Sequence, residues 1–81
     1  MKPYAIMVYD KQYGGHMYFC RLCDGGAITC SSPENKTYWT EVEAKEDLDL
    51  WRDSDKDFDK KYSEVVIRRM TEQHSCKLVF A

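Results

Sequence analysis

No part of the chain offers the ~18 consecutive apolar residues that a membrane-spanning helix needs, because charged residues interrupt every hydrophobic run first. The N-terminal segment also lacks the apolar core of a secretory leader, since Asp10 and Lys11 break it early. A cytoplasmic location is the expectation, with no membrane contact. Proline and glycine are scarce, at two and four residues, which excludes collagen-like and low-complexity architectures. The stretch Tyr13-Gly14-Gly15-His16 has too few glycines, at the wrong spacing, for a phosphate-binding loop. Histidine occurs only at His16 and His74, and neither they nor Cys20, Cys23 or Ser31 fall in a known nucleophile motif. The chain therefore reads as a non-enzyme that needs no cofactor.

What is present is enough for one core. The 81 residues cannot build two, so residues 1–81 form a single domain. An apolar content of 43% with 14% aromatics is too high for a disordered chain. Tyr4 to Tyr9 is an apolar run that predicts a buried strand. Tyr13-Gly14-Gly15 marks a turn, and His16 to Cys23 alternates as a second strand, with Met17 and Phe19 on one face and Tyr18, Cys20 and Leu22 on the other. A three-residue turn at Asp24-Gly25-Gly26 then returns the chain as Ala27 to Cys30 and sets Cys30 opposite Cys20.

After the loop Ser31 to Asn35, Thr40-Glu41-Val42-Glu43 is a capping box, in which hydroxyl and carboxylate satisfy each other's backbone amides. The helix it opens runs to about Trp51 or Arg52. Ala44, Leu48 and Trp51 form its inner stripe, and Glu46, Asp47 and Asp49 face water. A polar run from Asp53 to Lys61 precedes Val65-Val66-Ile67, whose β-branched residues favour a strand. Lys77 to Phe80 can add another. The fold class is α+β: a mostly antiparallel sheet of four or five strands, in the order β-β-β-α-β with an optional final β, covered by one helix.

Two metal patterns occur. Cys20-x-x-Cys23 has zinc-knuckle spacing, with Cys30 and Cys76 available to complete a structural site. Strand alternation, however, aims Cys20 and Cys23 at opposite faces, so no metal is expected and zinc remains the alternative reading. Asp53, Asp55, Asp57 and Glu64 occupy positions 1, 3, 5 and 12 of an EF-hand loop. There Phe58 replaces the glycine that position 6 requires, and Lys60 the apolar eighth residue, so calcium is not expected.

The net charge of −2 conceals a division. Residues 41–64 hold ten acids against five bases, while the remainder holds four acids against seven bases. Arg21, Arg68, Arg69 and Lys77, with Tyr18 and Phe19, sketch a strand face that stacks bases or holds a small ligand. The negative total speaks against direct nucleic-acid binding. The carboxylates of Glu46, Asp47, Asp49, Asp53, Asp55, Asp57 and Asp59 instead imitate a phosphate track, with Trp39, Tyr38, Trp51 and Phe58 at its border as anchors. In size, isolated single-domain build and acidic segment, the chain resembles the small orphan proteins of bacteriophages and mobile elements. Some of these, anti-CRISPR proteins among them, block host defence nucleases by stoichiometric binding. The resemblance implies a protein partner, an inhibitor of a nucleic-acid-binding complex, with no chemistry of its own. An exposed strand edge would also allow a homodimer.

Overall fold

The computed structural model describes residues 2–24 and 26–70. Four strands form one antiparallel sheet: β1 (Tyr4–Asp10), β2 (Gly15–Cys23), β3 (Gly26–Cys30) and β4 (Tyr62–Arg69), in the spatial order β3-β2-β1-β4. Between β3 and β4 lie a 3₁₀ turn (Pro33–Asn35), the main helix α1 (Glu41–Ser54) and a single helical turn, α2 (Phe58–Lys61). The fold is α+β as expected, and the order departs from expectation only in the 3₁₀ turn before α1 and in α2 between α1 and β4. The anticipated strand at Lys77 to Phe80 lies outside the described residues.

The helix starts where the capping box places it. The Glu43 amide donates to Thr40 Oγ1 at 3.2 Å, but the Glu43 carboxylate accepts from the Thr40 hydroxyl rather than from its amide. Ala44, Leu48 and Trp51 face inward, as the stripe predicts. They meet Ile6, Val8, Phe19, Tyr38 and Phe58 to form the core, in which Trp51 is fully enclosed. Phe19, Phe58 and Tyr62 surround Trp51 with ring centroids 4.9 to 5.2 Å away, two of them edge-to-face. Such pairs each add about 0.5–1.5 kcal/mol beyond their area. Among the described residues the buried Trp51 indole N–H finds no hydrogen-bond partner.

Two irregularities reshape the sheet. On β2 an extra residue, Cys20, is inserted between Phe19 and Arg21, and Cys23 pairs directly with Gly26. Cys30 consequently lies opposite Tyr18, not Cys20 as a three-residue turn would place it. A bulge bends its strand, and here it lets the outer half of the β2–β3 hairpin lean toward the helix layer. There a Cβ on Gly26 would stand 3.3 Å from Asp55 Oδ2, a close approach that only glycine meets without a shift. Where β2 leaves β1, Tyr38 takes its place by exchanging backbone hydrogen bonds with Tyr4 at 3.1 and 2.8 Å.

The second irregularity falls in β4, between the pairs Met7↔Val66 and Tyr9↔Ser63, so that two residues oppose Val8. One of them, Glu64, takes φ +49°, the left-handed region that costs a residue with a Cβ about 1–2 kcal/mol. Asparagine tolerates this conformation better. Glu64→Asn should therefore raise stability by roughly 0.5–1 kcal/mol in urea titrations, and a loss of stability would show that the glutamate side chain has a compensating role.

Candidate functional site

The acidic segment splits when folded. Asp55, only 3% exposed, caps the end of α1. Its Oδ1 accepts from the Asp57 amide and from Lys61 Nζ, both at 3.1 Å, and its Oδ2 accepts from Lys61 at 3.2 Å. The bond to Asp55 holds the Lys61 ammonium above its ordinary pKa. Phe58 is buried against Trp51, and the run expected as a loop instead closes into α2. Asp55 and Phe58 are thus structural and leave the expected contact surface. The same geometry replaces the EF-hand reading: the carboxylate at its third position is already bound to a lysine, and Glu64, at its twelfth, sits in a strand. Removing both Asp55 interactions by Asp55→Ala should cost about 2–3 kcal/mol. Asp55→Asn, which keeps an acceptor for the Asp57 amide, should cost about half of that. Equal losses in chemical denaturation would assign the whole effect to Lys61.

Asp47 also departs from expectation. It is half-buried and accepts the Tyr38 hydroxyl proton at 2.7 Å, in a shallow groove of about 360 Å³ that Lys2, Lys36, Glu46 and Leu50 also line. Tyr38 and Trp51, expected as border anchors, belong to the core. Burial, followed by the bond to Asp47 and the repulsion of its charge, pushes the Tyr38 hydroxyl pKa far above its ordinary value. Burial, reinforced by Asp10, raises that of Tyr62.

What remains on the surface is concentrated on the outer side of α1. At 100° per residue, Val42, Glu46, Asp49 and Asp53 point away from the Ala44–Leu48–Trp51 stripe, with Leu50 at their flank. Val42 is 68% exposed, Leu50 54%, and Trp39, just before the helix, 57%. Asp57 and Asp59 are exposed around α2, beyond the end of this face. Three large apolar side chains therefore stand in water among three carboxylates. Trp39, Glu46, Asp49 and Asp53 belonged to the expected set. Val42 and Leu50 were missed, although their positions off the inner stripe already marked them as apolar residues without a core to fill.

Among the described residues the cysteines do not assemble into a site. The Cys30 thiol donates toward the Ser32 and Tyr18 carbonyls and accepts from Asn35 Nδ2 at 3.1 Å. Cys23 is exposed, Cys20 occupies the bulge, and Cys76 lies outside the described residues. Among the described residues no group of three or more His, Cys, Asp or Glu stands together as a metal ion would need. No helix among them is long and apolar enough to cross a membrane.

Tyr38, Tyr62 and Lys61 all hold their protons more tightly folded than unfolded. Their stabilising effect is complete below about pH 10, where the unfolded chain also keeps these protons, and is lost as pH rises further. Tyr38→Phe should flatten that alkaline decline while costing about 1–2 kcal/mol at neutral pH through the lost bond to Asp47. Urea midpoints measured across alkaline pH test both effects, and an unchanged slope in the variant would rule out Tyr38 as a source. Compared with family models, curated proteins and solved structures, the chain matches none.

Proposed function

We propose that this chain is a small protein-binding module that docks through the outer face of α1, and that it acts as a stoichiometric inhibitor of a nucleic-acid-binding complex of the host-defence kind. The observation that carries the proposal is the exposure of Trp39, Val42 and Leu50 beside Glu46, Asp49 and Asp53. Apolar anchors supply most of the energy of an interface, while surrounding charge steers the encounter. A helix face made only for solubility has no use for the first group.

Asp53 adds to the case. It lies in the last turn of α1, where the negative end of the helix dipole disfavours a carboxylate by about 0.3–1 kcal/mol. Helix stability therefore does not account for an acid at this position. The complementary surface is a basic groove with an apolar recess, such as a nucleic-acid-binding protein presents to phosphates and bases.

The chain, immobilised and exposed to extract of its native cell, should capture a nucleic-acid-handling protein that added DNA or RNA displaces. The Glu46→Lys, Asp49→Lys, Asp53→Lys triple variant should capture at least tenfold less, with a weaker salt dependence. Trp39→Ala should lower capture without changing the salt dependence. Equal capture by the triple variant would sink the proposal.

A further inference from the structure

The face of the sheet turned away from α1 carries a second arrangement, independent of the helix face. Strand alternation sends Tyr4, Ile6 and Val8 toward the core, and Ala5, Met7 and Tyr9 to the opposite side. The two α-helices pack on the core side, while the 3₁₀ turn touches β1 and β2 and its Asn35 bonds Cys30, the pair partner of Tyr18. The pairs Met7↔Tyr18 and Ala5↔Arg68 place Tyr18 and Arg68 there, one on each side of β1. Arg68 Nη1 reaches across β1 and donates to the Tyr18 hydroxyl at 3.1 Å. Ala5, the pair partner of Arg68, is 1% exposed, and Met7 and Tyr9 are half-buried. One pair further along β1, Tyr9 and His16 stand edge-to-face with ring centroids 5.4 Å apart. Ile28 and Val66, both exposed, flank the group, and Arg21, level with Ile28, lies on the same side.

The charge on this face is opposite to that of α1. Nine of the fourteen acids lie between Glu41 and Asp59, in the helical layer. The four strands hold only two, Asp10 and Glu64, both near the β1–β2 hairpin end. Among the described residues Arg68 and Arg21 form no ion pair. A guanidinium held by a tyrosine hydroxyl through one of its five N–H groups keeps the others for a ligand. Tyrosine rings and arginines on an antiparallel sheet match a single strand of nucleic acid, whose bases stack on rings and whose phosphates pair with guanidinium groups.

We propose that the face of the sheet turned away from α1 binds single-stranded nucleic acid, with Tyr18 and Tyr9 as stacking platforms and Arg68 and Arg21 as phosphate or base-edge contacts. Phe19, grouped with Tyr18 on the sequence, plays no part because it lies in the core, and Arg69 packs over the Tyr4 ring on the other side. The proposal extends the function from protein docking to a second ligand, and it stands whether or not α1 binds a protein.

Fluorescence anisotropy with labelled oligothymidylate and oligouridylate tests it directly, and the two probes separate DNA from RNA. The intact chain should bind at low salt. Tyr18→Ala combined with Arg68→Ala should weaken binding at least about tenfold. Arg68→Gln alone, a milder change, should lower the salt slope by about 0.7, the loss of one phosphate contact. The α1 triple lysine variant should retain the Tyr18 and Arg68 dependence. Absence of binding by the intact chain overturns the proposal, as does affinity indifferent to both sheet variants. A dimer in sedimentation that Arg68→Gln dissolves would overturn it too, by assigning the face to a second copy of the chain.

Discussion

The buried carboxylate of Asp55 is the point on which the arrangement of the helical layer depends. It receives the Asp57 amide and the Lys61 ammonium, and Gly26 at the start of β3 lies against it. Four parts of the chain therefore converge on one group: the end of α1, the start of α2, the entry to β4 and the β2–β3 hairpin. A lone buried charge would be too costly to keep. Lysine and backbone amide together make it tolerable, and the half-exposed lysine keeps contact with water. The convergence also fixes where Trp51 and Phe58 lie, since they are four residues before and three residues after it.

With these rings pinned, the inner side of α1 is fully committed and its outer side is left free. Charge follows the same division. Nine of the fourteen acids gather in the helical layer, whereas Arg21 and Arg68 lie on the far side of the sheet, with the core between them.

Much of this fold is legible in the sequence, because its signals are local. Thr40 and Glu43 announce the start of α1, the spacing of Ala44, Leu48 and Trp51 gives its buried side, and Val65 to Ile67 gives β4. What was not legible depends on contacts distant in sequence. Cys20 enters a bulge on β2, and Gly26 in the same hairpin lies against Asp55, neither of which a local pattern encodes. Asp55 looks like its acidic neighbours until Lys61 and Gly26 arrive beside it. Phe58 reads as a border anchor because α2 is too short to show periodicity. For the candidate site the same split holds. Glu46, Asp49, Asp53 and Trp39 were readable as exposed, whereas Asp47 was claimed by Tyr38, nine residues away. Tyr18 and Arg68 meet only because two strands pair with the same third one.

The left-handed Glu64 acts on the sheet as a register lock. Sliding β4 by one residue against β1 would transfer the positive φ to Ser63 or to Val65. Valine, branched at Cβ, is among the residues least able to adopt it. The same slide would turn Val65 and Ile67 out of the core and Val66 and Arg68 into it. Strain at one exposed position thus guards the alignment that brings Arg68 within reach of Tyr18, and β4 can meet β1 in only one way.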